Sequence, residues 1–251
     1  FLAINLFCGA WIVSDSLKFS ISKFLVFFPL LITYFIGPIG LFLYWLIRIF
    51  FAKNYHCMIK EIQFYYDFSS PYTYIAHKKI KKFKNDNNIN FLYKPMLLGG
   101  LHKLAGITAN AFIGHKNEFM IQDCEMISKK LGINFHFNEK FPINSLYLMR
   151  GTLVLKDNLL EKYIDTFFES YWQLNLDLSD RSIFEKKLKE INIDVDKFLL
   201  DIEKKETKEK LKLLTDEAFS KKIFGAPTFF YNNKIYWGQD RLDYVIDEAI
   251  K

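Results

Sequence analysis

An apolar run at residues 59–66 turns through Asp67-Phe68-Ser69-Ser70-Pro71 straight into a lysine-rich segment at 75–83. The run reads as a buried strand and the segment beyond it as a helix. Ser followed by Pro at such a junction is what a helix N-cap and first helical residue look like. The same geometry sets a hydroxyl, Ser70, among the free N–H groups and the positive end of the helix dipole, where negative charge is favoured. Ser70 is therefore either a plain cap or a donor held ready for an anion.

This junction lies in one of two compositionally distinct regions. The chain has 251 residues, 51% hydrophobic and 18% aromatic. Residues 1–57 hold almost no acidic groups, whereas most Lys, Asp and Glu lie after residue 58. Residues 2–13 read as part of a membrane span and 14–23 as a polar loop. Residues 24–47 carry no charge over a length that crosses a bilayer, and read as a full span. Gly37-Pro38 interrupts them, which spans tolerate better than soluble helices do. The alternative is a very apolar core hairpin. Phe1 in place of Met leads to the expectation of a fragment or a processed or fused product, and Met58 opens the second region as the start of a separate protein would.

Arg48, Lys53 and Lys60 lean towards a cytoplasmic C-terminal portion, membrane-associated through residues 1–57. Cys8, Cys57 and Cys124 form no closely spaced pair, which fits a reducing compartment. The net charge of +6 is spread over helix faces such as 78–84, read as solvated. No interleaving of basic and aromatic residues points to nucleic acid. His77, His102, His115 and His136 lack metal-ligand spacing, so no metal is expected. Ser70 has no evident His or acid partner for a hydrolase triad.

From residue 58 the expected order is strand 61–68, helix 71–84, an Asn-rich turn at 85–88 and strand 90–95. Such a βαβ unit implies a parallel pair with a right-handed crossover. Gly99-Gly100 reads as a loop. Helical segments follow at 118–131, closed by Gly132 as C-cap, then at 145–155, 159–174, 180–191 and 195–219, with an irregular loop at 135–142. Asp180 and Asp194 are candidate caps. Strands at 228–231 and 234–237, joined by the hairpin signal Asn232-Asn233, lead to a helix at 241–250. This order predicts an α/β chain: a thioredoxin-like domain (58–98 and 220–251) with an inserted helical domain (99–219), preceded by transmembrane helices. A redox protein of that fold carries Cys-x-x-Cys at the first turn. Here the four positions read Ser70-Pro71-Tyr72-Thr73, which removes the redox chemistry and keeps a place to hold another molecule's thiolate.

Gly225-Ala226-Pro227-Thr228 stands just before a strand, where Pro is tolerated because it owes the ladder no N–H. On the expected topology it faces the first helix of the second region. With a cis bond, the N–H and C=O of Ala226 face outward to pair with an extended peptide-like ligand; with a trans bond, Pro227 is an ordinary edge residue. In Trp237-Gly238-Gln239-Asp240-Arg241, Asp240 either caps the last helix or holds a charged group of a ligand. One oxygen suffices for capping, so both can hold.

Four stretches in this order, Phe64 to Tyr74, Leu98-Gly99-Gly100-Leu101, Phe224 to Phe229 and Trp237 to Arg241, resemble the family of 2-hydroxychromene-2-carboxylate isomerase and kappa-class glutathione transferase. The resemblance covers residues 58–251. It implies glutathione as cofactor, with Ser70 as the catalytic residue that hydrogen-bonds the sulfur and Tyr72 and Thr73 beside it. It implies that Ala226 and Pro227 meet the glutathione backbone and that Trp237, Gly238, Gln239 and Asp240 hold its γ-glutamyl end. Thr73 replaces a usual Ser and keeps the hydroxyl. Ile107, after Gly106, stands where members carry a ligand-binding Asn, which puts it on the substrate side.

The activity implied is isomerisation by thiolate addition, bond rotation and elimination, or glutathione transfer, on a small aromatic or conjugated substrate of the kind met in aromatic compound catabolism. A homodimer is an allowed assembly. A non-catalytic glutathione-binding module is the alternative, favoured by Ile107. A thiol–disulfide oxidoreductase is opposed by the absence of Cys near Ser70. Residues 37–48 resemble the end of a small membrane protein family related to plastid neoxanthin synthesis, which implies a fusion or a read-through of two adjacent genes.

Overall fold

The computed structural model describes residues 2–18, 21–36, 38–51, 60–83 and 88–250. The chain divides into two compact units, Phe1–Ile59 and Lys60–Lys251.

The first unit holds helices α1 (Leu2–Lys18), α2 (Lys23–Ile36) and α3 (Pro38–Phe51). The expected membrane spans are not supported: among the described residues no helix is long and apolar enough to cross a membrane. The apolar run at 24–47 is divided between α2 and α3, of 14 residues each. At 1.5 Å per residue each is about 21 Å long, short of the roughly 30 Å hydrocarbon core. Pro38 supplies the reason. It lacks an N–H and suits the first position of α3, where no intrahelical donor is needed. Gly37, Lys53, Cys57 and Met58 lie outside the described residues. The polar stretch also departs from expectation, since residues 14–18 continue α1. Its Asp15 accepts a hydrogen bond from the buried Tyr44 hydroxyl at 2.9 Å and pairs with Arg48 at 3.0 Å.

The second unit is built on a four-stranded sheet in the order β2 (Ile89–Pro95), β1 (Lys60–Tyr66), β3 (Thr228–Tyr231), β4 (Lys234–Trp237). β1 runs parallel to β2, with Lys60 opposite Ile89 and Tyr66 opposite Pro95, and antiparallel to β3, with Phe64 opposite Phe229. β3 and β4 form a hairpin whose turn residues Asn232 and Asn233 have φ of 47° and 59°. Two successive left-handed residues are what a tight hairpin needs, and Asn accepts them at low cost. Helix α4 (Pro71–Lys82) is the crossover from β1 to β2. The Asn-rich turn between them lies outside the described residues except for Asn88.

Between β2 and β3 the chain is helical: α5 (Leu98–Ala105), α6 (Gly114–Leu131), α7 (Leu146–Val154), α8 (Asp157–Trp172), α9 (Arg181–Glu190), α10 (Val195–Glu203) and α11 (Lys205–Ser220). α12 (Leu242–Ile250) closes the unit. Asp180 and Asp194 do cap, accepting from Ser182 N and Lys197 N. Gly132 ends α6 in the left-handed region. Gly99 and Gly100 are not a loop; they lie in the first turn of α5. Glycine costs a helix about 1 kcal/mol relative to Ala, but the fully buried Leu101 anchors this helix by packing, which overrides local propensity. The expected helix at 195–219 is two helices, which part at Lys204.

The strand period sorts β1 between two cores. Ile62, Phe64 and Tyr66 face a large aromatic cluster with Phe68, Phe229 and the α8 residues Tyr163, Phe167, Phe168, Tyr171 and Trp172. Tyr65 points the other way, to Met96, Leu101, Ala218 and Ile223. The buried Trp172 indole donates to the Phe68 carbonyl at 2.8 Å, so α8 pins the turn that leads from β1 to α4.

Candidate functional site

Ser70 caps α4 with extended backbone. Its Oγ accepts the Thr73 N–H at 3.2 Å and donates to the Ala226 carbonyl, also at 3.2 Å. At 4% exposure the hydroxyl sits at the base of the site. The Ala226–Pro227 bond is cis. The loop around it is fixed by the Thr228 hydroxyl, which donates to the Gly225 carbonyl at 2.7 Å. Of the sequence-derived residues, Ser70, Thr73, Ala226 and Pro227 are thus brought together at the α4 N-terminus.

The segment after β4 joins them. Gly238 N–H donates to the Pro227 carbonyl at 3.0 Å. Gly238 has φ of 114°, a conformation that side-chain-bearing residues rarely adopt. Trp237 stacks obliquely on Phe224 with ring centroids 5.0 Å apart and remains 51% exposed. It leaves no room at Gly225, where a Cβ would stand 2.7 Å from the indole nitrogen. The Gln239 carbonyl accepts from Lys79 Nζ at 3.0 Å. Asp240 lies inside a single 3-10 turn, Gln239–Arg241, and its carboxylate faces the Arg241 guanidinium at 3.2 Å.

Two expected residues make other contacts. The Tyr72 hydroxyl donates to Asp123 Oδ2 on α6 at 2.8 Å. Burial first, and the Asp123 carboxylate second, push its phenol well above the ordinary value. Burial likewise pushes up the thiol of neighbouring Cys124, with Asp123 adding to the effect. Cys124 is therefore a packed, inert thiol. Ile107 follows the left-handed Gly106 at the end of α5. Its N–H bonds the His102 carbonyl at 2.9 Å, and its side chain is 40% exposed. No hydrogen bond among the described residues joins it to the Ser70–Ala226 pair.

Three residues of the site were not singled out from the sequence. Asp67 is fully buried beneath the turn. Oδ1 accepts from Ser69 N–H and Ser69 Oγ, both at 2.9 Å, and Oδ2 accepts from Leu98 N–H at 2.7 Å. Burial pushes its carboxyl above the usual carboxylate range, against the pull of Ser145, Leu98 and Ser69. Asp67 therefore ties the Ser70 turn to the start of α5, the helix that ends just before Gly106 and Ile107. Its signal in the sequence is Asp-x-Ser, the pattern of an Asx-turn. Asp123 and Lys79 carry no such signal. The lysines of α4, read as a solvated face, are in fact largely engaged: Lys78 with Glu169, Lys81 with Glu161 and Asp165, and Lys82 with the carbonyls of Leu131 and Gly132.

One further polar atom lies at the site. Thr73 Oγ1, fully buried one turn into α4, has no hydrogen-bond partner among the described residues. The site thus offers a helix N-terminus, one hydroxyl donor and an adjacent peptide backbone, a donor set suited to a thiolate on an extended peptide.

Comparison with known proteins agrees with the fold. The DSBA-like thioredoxin domain family matches residues 61–250, and the ABA DEFICIENT 4-like family matches residues 1–44. The second unit is similar to 2-hydroxychromene-2-carboxylate isomerase of Sphingobium xenophagum, 23% identical over 190 residues, covering 75% of this chain and 97% of the relative. It is also similar to glutathione S-transferase kappa 1 of Homo sapiens, 21% identical over 199 residues, covering 73% of this chain and 88% of the relative. A solved 2-hydroxychromene-2-carboxylate isomerase superposes with a TM-score of 0.68 at 22% identity, over 76% of this chain and 94% of that one. A probable DsbA oxidoreductase from Streptomyces coelicolor superposes at 0.59 with 11% identity, covering 76% and 89%. With a family match spanning most of its length and a thioredoxin-like sheet carrying a Ser-Pro turn, the chain belongs to the DSBA-like thioredoxin domain family.

Proposed function

We propose that this protein binds glutathione at the N-terminus of α4 and acts as a glutathione-dependent isomerase of the 2-hydroxychromene-2-carboxylate type, or as a kappa-type glutathione transferase, on a small aromatic or conjugated substrate. The observation that carries this reading is the Ser70 hydroxyl, which is held at a helix N-terminus and against the backbone of Ala226. The relatives named as isomerase and as glutathione transferase point the same way.

A free thiol has a pKa of about 8.5 and is mostly protonated at neutral pH. A helix N-terminus and a hydroxyl donor lower that value. Ser70 supplies both without losing its cap. Its oxygen keeps accepting the Thr73 N–H while the hydroxyl hydrogen rotates from the Ala226 carbonyl to a sulfur. That rotation releases the Ala226 carbonyl to accept from an extended ligand backbone, as in strand addition. Trp237 to Asp240 flank the position of the γ-glutamyl end, and Tyr72 is braced against α6 by Asp123. Bound glutathione would supply a thiolate able to add to a conjugated double bond and leave again after rotation. We read α5 to α11 as an inserted helical domain that brings Asp123 and Ile107 to the site.

One feature favours a second reading, a glutathione-binding module without turnover: Ile107 is apolar where the resembling family carries a ligand-binding Asn. Calorimetric titration of the full chain with glutathione, repeated with Ser70→Ala, separates the outcomes. Binding with ultraviolet thiolate absorbance and turnover of a chromene carboxylate supports the enzyme. Binding without turnover of a chromene carboxylate and without transfer of glutathione to a conjugated electrophile leaves the module. An absence of binding by the parent protein removes both.

A further inference from the structure

We infer that Lys79 is a positioning residue for the glutathione site: it sets the 237–240 loop at its working distance from the α4 N-terminus and so sets the grip on the γ-glutamyl end. This rests on the glutathione reading above. The walls of the site come from α4 and from the two ends of the β3–β4 hairpin, and polar contacts tie each to the next. Ser70 Oγ donates to the Ala226 carbonyl at 3.2 Å. The Pro227 carbonyl accepts from Gly238 N–H at 3.0 Å. The Gln239 carbonyl accepts from Lys79 Nζ at 3.0 Å. Lys79 stands on the helix that Ser70 caps, so the third contact closes the circuit.

The start of the loop is held by the pairing of Trp237 with Thr228, its packing on Phe224 and the Gly238–Pro227 hydrogen bond; towards α4, the Lys79 contact holds it. Its outer face is open, with Trp237 half exposed and the Asp240 side chain 55% exposed. Gln239 is buried as a residue, and loss of a charge-assisted donor to its carbonyl carries a free-energy cost. The Lys79 side chain is 16% exposed, and its ammonium also stands 3.7 Å from Asp243 Oδ2. The other engaged lysines of α4 reach α6 or α8, not this loop. Lys79 lies nine residues, or about 13 Å of helix, from the α4 N-terminus. Its ammonium is engaged by the Gln239 carbonyl and by Asp243, so its charge acts on the loop more than on the sulfur.

The test uses the full chain, Lys79→Met and Lys79→Arg, with glutathione affinity read by calorimetry and the pH profile of thiolate absorbance read with glutathione bound. Losing a charge-assisted hydrogen bond is expected to weaken glutathione binding about tenfold in Lys79→Met. Lys79→Arg, which keeps a charged donor, is expected to stay within about threefold of the parent. The thiolate pH profile of Lys79→Met is expected to overlay that of the parent, because Ser70 and the helix end are untouched. Unchanged affinity in Lys79→Met, failure of Lys79→Arg to retain binding, or a shifted thiolate profile would each overturn the proposal. If circular dichroism shows Lys79→Met unfolded, Lys79→Gln, whose amide is too short to span the gap, takes its place with the same expectations. A parent protein that does not bind glutathione overturns the underlying reading first, and is seen before any variant is measured.

Discussion

Ser70 Oγ lies 3.2 Å from the carbonyl oxygen of Ala226, 156 residues further along the chain. One hydroxyl thereby joins the first turn of α4 to the loop before β3, and its oxygen still accepts the Thr73 N–H. Removing it separates the cap from the donor. Ser70→Ala is expected to cost about 1 kcal/mol of stability through the lost cap and on the order of a hundredfold in turnover through the lost donor. Urea unfolding and steady-state kinetics measure the two separately. A stability loss with full turnover would confine Ser70 to capping.

Asp67 is a buried acceptor for several donors at once. Asp67→Asn keeps the shape but turns an NH2 group towards donors, leaving at least one of Ser69, Leu98 or Ser145 unpaired. A loss of about 1–3 kcal/mol in unfolding free energy is expected. Glutathione affinity should fall as well, because the same carboxylate holds the Ser70 turn against α5. Unchanged urea midpoints would show that water replaces the network.

Ile107 is 40% exposed, so Ile107→Asn should leave stability within about 0.5 kcal/mol of the parent. If this position faces the second substrate, the amide raises kcat/KM for a chromene carboxylate and leaves the glutathione Kd unchanged. A changed glutathione Kd would assign it to the cofactor side instead.

His77 sits in the core between Tyr93 and Asp165, at 2.7 Å and 2.8 Å. Burial holds it below the ordinary histidine value of 6.5, outweighing Asp165 and aided by Lys78 and Lys81. The neutral ring donates Nε2–H to Asp165 and accepts the Tyr93 hydroxyl. Between the two values the unfolded chain binds the extra proton, so stability falls as pH drops through about 6.5 towards the folded value. Burial lowers His102 in the same direction. Burial alone would raise the Asp165 carboxyl, but His77 and Lys81 hold it low, so it responds only below the carboxylate range. The drop in urea midpoint between about pH 8 and about pH 5.5 should be smaller in His77→Gln than in the parent. An equal drop would remove His77 from the acid response.

The elements nearest the site are legible where their signals are local. Ser70-Pro71 marks the start of α4, Asn232-Asn233 the β3–β4 turn, and Asp180 and Asp194 their helix caps, because each acts on backbone within a few positions of itself. Gly99-Gly100 misleads because buried packing of α5 outweighs the glycine penalty. The apolar run at 24–47 misleads because hydropathy does not register that Pro38 starts a new helix. Lys79 is indistinguishable in sequence from Lys78, Lys81 and Lys82, since all four share one lysine-rich helix and differ only in what packs opposite.

The sequence by itself determines a strand that turns through Ser70-Pro71 into a helix, a hairpin near the C-terminus, and no cysteine at the turn. These follow from chemistry within a few residues. Only the tertiary structure decides that Ala226 meets Ser70, that Gly238 bonds Pro227, that Lys79 holds Gln239, and that Asp67 is buried under the turn. Such contacts depend on how β1, β3 and α4 pack, and a carbonyl or an ammonium carries no mark of its partner until burial excludes water and leaves one acceptor within reach.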